Sequence, residues 1–399
     1  MAMSLTGIVC GVGFFIVTQA QTSGFEEFFI RTILGTNGAI RIEDRFQDTL
    51  RSMTATGQTG RSGFQILQRE SRNYVPGVQE PRKIRAELEQ FPAVVAISDV
   101  VRGNVLIEGV GQRSEAAKIL GINLDDHLSA SDLEQQIVRG DLEAFRSNPN
   151  AVIVGLTMAY RLLVDPGDWV VLETHGERRR YRVSAVYETG VTDIDRVRIY
   201  MHMTAARSLL RKPHGVSYMQ INVIDRDTAP AEARHIERVL EHNAVSWQER
   251  EKVWLEVFRA LRISSAITVS SIILISGLGM FNTLAMVVME KTKEISILRS
   301  MGYTRRDISN IFLWQGLLVL MTGSALGALL GAGLTYGVSS LPIRIRGIFS
   351  TDSFVVSWSV WHYLAAILTA VVVVMFASLI PARRAARLEP GDVIRGTAQ

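Results

Sequence analysis

Few side chains in this sequence stand at spacings that could do covalent chemistry. No GxxxxGK(S/T) loop is present, so ATP is not expected to bind here by that route. The glycine-rich stretch Gly57–Gly63 lacks the lysine and a preceding buried strand. No HExxH is present, and the seven histidines are scattered. His235 and His242 stand two turns apart on one predicted helix, but no third ligand is near and a surface place outweighs a metal site. Arg178–Arg180 falls at a predicted hairpin turn, where a solvated charge run is the default. Asp125 and Asp126 have no visible catalytic partner. No carboxylate or lysine lies inside the apolar runs, which argues against an ion-coupled carrier. No catalytic group, metal or cofactor is therefore assigned to this chain, and energy for any transport must come from another subunit.

The charges with an evident use are those of Glu290–Arg306, EKTKEISILRSMGYTRR. This bridge separates two uncharged runs, Ile263–Met289 and Ile308–Ile343. Each exceeds the ~20 apolar residues that cross a bilayer. A short loop carrying Lys291, Lys293, Arg299, Arg305 and Arg306 between two spans belongs on the cytoplasmic side. Ile295, Ile297, Leu298 and Met301 recur at near-helical spacing, Glu290 and Glu294 stand at i, i+4, and Gly302 fits a helix C-terminus. The spacing predicts a short amphipathic helix at the membrane surface. Two uses fit it: a basic anchor that only fixes topology, or a coupling helix that docks on a cytosolic motor.

The rest of the chain has the composition of a membrane protein. It has 399 residues and is 47% hydrophobic, with the excess in discrete runs. The net charge of +4 comes largely from residues flanking those runs, so nucleic acid is not implied. Cys10 is the only cysteine, which excludes an intrachain disulfide and a thiolate metal cluster. Four transmembrane helices are expected at 1–22, 259–289, 307–340 and 359–381. A cleaved signal peptide competes for the first, but a basic n-region is lacking and Gln19 and Gln21 make a poor cleavage site. Gly7 and Gly11 form a small-xxx-small pair. Gly323, Gly327 and Gly331 run GxxxGxxxG, and Gly333 and Gly337 repeat the spacing. Such stripes suit helix packing; the alternative is the general glycine enrichment of membrane helices. An outer loop at 341–358 and a cytoplasmic tail at 382–399 with Arg383, Arg384 and Arg387 complete the topology.

Residues 23–258, between the first two spans, read as a large mixed α/β domain outside the cytoplasm. Gly24–Leu34 is amphipathic, with Phe25, Phe28 and Phe29 on its apolar side. Strands are expected at Ala39–Ile42, Val94–Ile97, Gly103–Gly109, Ala151–Gly155, Arg196–Met201 and Ser217–Val223. A hairpin is expected at Trp169–Glu173 and Arg180–Tyr187. Helices are expected at Pro81–Phe91, Ser114–Leu120, Ser129–Phe145, Thr157–Leu163, Thr204–Leu210, Ala229–Glu241 and Glu249–Leu261. Asp48–Val78 reads as a long loop with a short strand at Phe64–Leu67.

Met289–Gly302, MEKTKEISILRSMG, resembles the loop after the second transmembrane helix in ABC-transporter permeases of the MacB/FtsX superfamily. The likeness is nearest to the lipoprotein-releasing (LolC/LolE-type) permeases. Ile380–Gly396, IPARRAARLEPGDVIRG, resembles the family's ending, and Gly24–Gly35, GFEEFFIRTILG, the segment after its first span. The resemblance implies that the bridge contacts a separate cytosolic ABC ATPase, which holds the ATP and Mg. Glu290, Lys291, Lys293, Glu294, Ile297, Arg299 and Gly302 then form the ATPase-coupling set. It also implies a porter subdomain (36–108 and 216–248) with a Sabre-like insert (109–215), and a lipid-anchor path at Phe25, Phe28 and Phe29. The implied partners are a second permease of the same or a related kind, a lipid-anchored protein substrate and a periplasmic acceptor. The implied location is the bacterial inner membrane, with the large domain in the periplasm. The basic segment that usually precedes the first span in this family is not seen before it here, so the expectation is a start that is either trimmed or misassigned. The extended hook of carrier-docking members corresponds here to the tight turn His175–Glu177, so this chain is either the non-hook partner or passes cargo differently. The expected function is a permease acting by mechanotransmission, drawing lipoproteins from the outer leaflet. Two alternatives stay open: an FtsX-like signalling permease that activates a cell-wall hydrolase, and a MacB-like efflux permease.

Overall fold

The computed structural model describes residues 2–45, 76–341 and 354–387. The expected strand Phe64–Leu67, the stretch Gly57–Gly63 and most of the outer loop and tail lie outside the described residues. In chain order, α1 (Ala2–Asn37) leads to β1 (Ile40–Arg45), α2 (Pro81–Leu88) and β2 (Val94–Glu108). Then follow β3 (Ser114–Ile122), α3 (Leu124–Ala130), β4 (Ile137–Gly140), α4 (Leu142–Ser147), β5 (Ala151–Gly155) and α5 (Leu156–Leu162). The hairpin of β6 (Trp169–Thr174) and β7 (Glu177–Tyr187) precedes α6 (Thr192–Val197), β8 (Arg198–His202) and α7 (Met203–Leu209). Next come β9 (Tyr218–Val223), α8 (Ala229–Leu240), β10 (His242–Ser246) and α9 (Trp247–Arg250). Helices α10 (Lys252–Glu290), α11 (Thr292–Ser300), α12 (Arg305–Ser339) and α13 (Val360–Arg387) follow.

The chain divides into two units. One comprises residues 1–29, 253–344 and 351–399; the other comprises 30–252 and 345–350. In the first, α1, α10, α12 and α13 are each long and apolar enough to cross a membrane. The shortest, α13, has 28 residues, about 42 Å at 1.5 Å per residue, against a hydrocarbon core of about 30 Å. Ile8, Val12 and Ile16 of α1 join Ile273, Met280, Phe312, Leu320 and Val374 in one buried core. On α13 the core face is a stripe of Ala366, Ala370, Val374, Ser378 and Ala382, one residue every four, all at most 1% exposed. Small side chains at that spacing let a neighbouring backbone approach: a Cβ on Gly316 would lie 3.0 Å from Ser378 Cβ.

In the second unit, ten strands pair into one sheet. Strand β2 is the long member, pairing with β3 along one edge and with β9 and then β6 along the other. Because β3 pairs with β8, β8 with β5, β5 with β7 and β7 with β6, the strands β2–β3–β8–β5–β7–β6 close into a ring. Closure removes edges that would otherwise stay unpaired. By register, Val152, Val183, Met201, Ile199, Ile107 and Leu172 share one face of this ring, and each is at most 1% exposed. From the first half of β2 the sheet continues through β9 and β1 to β10. Strands from both sides of residue 109, where the resemblance implied a porter/insert boundary, thus share one sheet.

Four expectations need correction. Ser114–Leu120 is not a helix: its Ala, Glu, Lys and Leu favour helix locally, but the segment is β3, paired with β2 at nine consecutive positions from Val100–Ile122 to Glu108–Ser114. Tertiary pairing outweighs a propensity difference of a few tenths of a kcal/mol per residue. The two strands expected at Val94–Ile97 and Gly103–Gly109 are one 15-residue strand. The helical reading of Ser129–Phe145 gives way to the end of α3, the strand β4 and the start of α4, with Gly140 at φ +84° ending β4. Arg196 and Val197 end helix α6, and the strand starts at Arg198. The His175–Gly176 turn has both central residues at positive φ, 49° and 77°, the geometry of a tight type I′ hairpin.

Candidate functional site: the charged helix between two spans

The break between α10 and α11 falls at Lys291, whose φ of −89° and ψ of 5° leave the α-helical range. Helix α11 then ends at Ser300, and Gly302 at φ +105° turns the chain. A left-handed conformation at that place favours glycine. Nothing lies within 4 Å of where a Cβ on Gly302 would stand, so backbone conformation and not space selects glycine. Thr304 and Asp307 then form a capping box that starts α12, with Asp307 Oδ2 accepting from Thr304 N at 2.9 Å. The helix expected over Glu290–Arg306 is thus shorter than the bridge: Glu290 closes α10, while Arg305 and Arg306 open α12.

Helix α11 has two unlike faces. Ile295 and Ser296 are each 4% exposed, and Ile295 packs in the same core as Ala382, Ala385 and Ile308. Arg299 Nη1 donates to the carbonyl of Ala386 in the last turn of α13 at 3.2 Å. A cation there also complements the negative end of that helix dipole. On the other side Ile297 is 58% and Met301 73% exposed, beside exposed Lys293, Glu294 and Tyr303. Lys291 Nζ meets Glu294 Oε1 at 2.6 Å, and that carboxylate holds the ammonium above its usual range. Of the seven residues expected to couple, Glu290, Lys291, Lys293, Glu294, Ile297 and Gly302 lie on the exposed side. Arg299 instead faces α13.

The other expected residues fall elsewhere in the bundle. A Cβ on Gly7 would meet Ser276 Oγ at 2.6 Å, and one on Gly11 would meet Ile273 Cγ1 at 2.8 Å, so this pair faces α10. Gly323, Gly327 and Gly331 face α1: their added Cβ atoms would lie 2.9 Å from Ile8 Cγ2, 2.8 Å from Val12 Cβ and 3.0 Å from Ile16 Cβ. Gly333 and Gly337, which repeat the spacing, meet nothing within 4 Å. Phe25 and Phe29 pack on α10, with ring centroids 6.0 and 5.3 Å from Phe258, and Phe29 also lies 5.4 Å from Trp254. Phe28 is partly buried. The α13 stripe, mostly small residues, is not among the sequence expectations, though its one-in-four spacing is the available signal. His235 and His242 do not share a helix: His235 edges Phe91, while His242 opens β10 with Nδ1 2.6 Å from the carbonyl of Leu240.

Four apolar helices, a mixed sheet domain following the first in sequence and an amphipathic charged helix between the second and third define a membrane permease subunit. Residues 1–239 match the MacB-like periplasmic core domain and residues 266–390 the FtsX-like permease C-terminal domain. The chain belongs to the MacB/FtsX superfamily of ABC-transporter permeases. It is 24% identical to a lipoprotein-releasing system transmembrane protein LolC from Xylella fastidiosa, over 98% of this chain and 92% of that one. It is 23% identical to a LolE of the same system from Haemophilus influenzae, over 80% of this chain and 82% of that one. A macrolide export ATP-binding/permease protein MacB from Psychrobacter cryohalolentis is 33% identical over a shorter stretch, 34% of this chain and 19% of that one. Among solved structures, the periplasmic region of MacB from Actinobacillus actinomycetemcomitans aligns at 12% identity with a TM-score of 0.35, covering 56% of this chain and 95% of that one.

Proposed function

We propose that this chain is the transmembrane subunit of a transporter that draws lipid-anchored proteins from the outer leaflet of a bacterial inner membrane. The full-length similarity to lipoprotein-releasing transmembrane proteins supports the cargo class. The two-faced helix α11 carries the mechanism: its inner face is fastened to α13 while Ile297, Met301 and Tyr303 stand exposed beside charges. An apolar centre with a charged rim suits a protein docking surface. A separate cytosolic ATPase binds ATP and Mg, closes, and moves α11. Helices α10 and α12 pass the motion to the sheet domain in the periplasm. The chain itself catalyses nothing, and two permeases are needed to shelter the acyl chains. Extracting an anchor costs about 0.8 kcal/mol per buried methylene, so two or three chains require coupled ATP.

The test is release from proteoliposomes holding this permease and its ATPase, with one exported protein in acylated and unacylated forms. ATP-dependent release of only the acylated form is expected. ATP hydrolysis without release of either form overturns the extraction reading in favour of an FtsX-like signalling role. Release of both forms favours MacB-like efflux.

A further inference from the structure

Four arginines in the sheet unit converge on one tyrosine. Tyr218 opens β9 and is 4% exposed. The Arg41 guanidinium lies 4.3 Å from its ring centroid and that of Arg102 5.8 Å. Strand register puts Arg198 on the same face: Arg41 pairs with Gln220, Val100 with Tyr218, Arg102 with Leu120 and Lys118 with Arg198. Paired residues and alternate residues along a strand share a face. Arg250, at the end of α9, reaches the same place, with Nη2 donating to the Gly38 carbonyl at 3.0 Å. The Tyr218 phenol acts electrostatically on both Arg198 and Arg250.

This cluster is short of negative charge, although the Tyr200 hydroxyl stands against Arg198 as an acceptor. Glu43 stands 3.6 Å from Arg41 and Glu251 3.5 Å from Arg250. Among the described residues, Arg102 and Arg198 have no carboxylate partner, so four guanidinium groups face two carboxylates. Buried N–H donors are left over: Arg41 Nε, Arg198 Nη1 and Arg250 Nη1 lack hydrogen-bond partners among the described residues. Burying an unmatched guanidinium is costly, and buried donors are rarely left unpaired. Burial and the Arg41 charge push Arg250 down to about 10, so it still carries its proton at neutral pH.

We propose that the face formed by Arg41, Tyr218, Arg102 and Arg198, with Arg250 beside it, is a binding site for a phosphate-class oxyanion. The excess of positive charge, to which Lys118 opposite Arg198 adds, suits a phosphate monoester, which carries about −1.5 to −2 at neutral pH. Arginine forks suit its oxygens in pairs. Free phosphate and the phosphate of an anionic lipid headgroup share this chemistry. An anion here ties β1, β2, β8 and β9 to the end of α9.

The test uses the full chain in a maltoside detergent, which contains no phosphate. Calorimetric titration with inorganic phosphate at constant ionic strength is compared with chloride. Phosphatidic acid added to the micelles forms the second arm. Phosphate-specific binding is expected, weakened about tenfold or more by Arg102→Gln and by Arg198→Gln, the loss expected for one charge-assisted hydrogen bond. Binding of phosphatidic acid without inorganic phosphate, lost in the same variants, assigns the site to headgroups and also supports the proposal. Arg102 is exposed, so its variant keeps the fold if Arg198→Gln does not, and the thermal midpoint without ligand checks each. If neither phosphate source binds, or Arg102→Gln binds both as the parent does, the site does not exist. Neither the ATPase nor the cargo enters this measurement, so its outcome is independent of the transport reading.

Discussion

In the helical unit, α1 lies against α12 where Gly323, Gly327 and Gly331 leave room for Ile8, Val12 and Ile16. In the sheet unit, burial extends to ionisable groups that find partners. His127 Nδ1 is 2.9 Å from Ser98 Oγ, and Asp195 Oδ1 accepts from Thr189 N at 3.0 Å and from its Oγ1 at 2.7 Å. The contrast follows from the solvent each set of elements must leave. Lipid offers a helix no hydrophobic gain on pairing, so close van der Waals contact between small residues supplies the attraction. Water hydrates a sheet domain's polar groups, so most buried ones are matched inside. The bundle should therefore respond to volume and the sheet domain to protonation.

The largest expected effect tests volume. Gly327→Leu forces four carbons into a space where even a Cβ lies 2.8 Å from Val12. It should cost at least about 1–3 kcal/mol and lower the thermal midpoint of the purified chain. An unchanged midpoint would mean that the stripe does not meet α1.

Charge reversal at Glu290 and Glu294 asks whether the exposed side of α11 acts by docking and not by folding. The double substitution to Lys should abolish ATPase coupling while membrane insertion and the thermal midpoint stay as they were. Transport at the parental rate would remove α11 from the mechanism.

Protonation separates the sheet domain next. Burial holds His127 down at about 4, with the Arg198 charge adding to the effect. Burial pushes Asp195 up to about 6. A histidine held below its ordinary 6.5 gives stability that is present above pH 6.5 and lost as pH falls toward 4. A carboxyl raised above its ordinary 3.8 does the reverse: its stability is present below pH 3.8 and lost as pH rises through about 6. The two oppose each other between about pH 4 and 6. Asp195→Asn removes one of them, so stability should then fall by up to about 3 kcal/mol on acidification from pH 6.5 to 4. His127→Asn should give the opposite slope. Thermal midpoints taken across this range check both, and parallel profiles for parent and variants would contradict the assignment.

The smallest effect is expected at Lys291→Ala. The ion pair with Glu294 lies in solvent, where such pairs contribute little, and the thermal midpoint should not move measurably.

The sequence made the apolar helices legible because a span is written in consecutive residues, as in Ile263–Met289. The α11 pattern was legible for the same reason, since Ile295, Ile297 and Leu298 lie within one turn of each other. Gly302 announced the helix end through its own backbone freedom. Segment β3 was not legible: SEAAKIL favours helix until the facing residues of β2 are known. The same holds for the arginine face, whose members Arg41, Arg102, Arg198, Tyr218 and Arg250 come from five elements with no shared spacing.

The sequence by itself determined which stretches are apolar enough to leave water, where charge interrupts them, and the family to which those interruptions belong. These are properties of neighbouring residues, and helices form from neighbours. The tertiary structure decided which glycine stripe meets a partner, with Gly327 against Val12 and Gly337 against nothing. It also decided that Arg299 fastens α11 to α13 and that the strands close into a ring. Strand register and helix contact join residues far apart in the chain, and their free energy depends on what stands opposite each side chain.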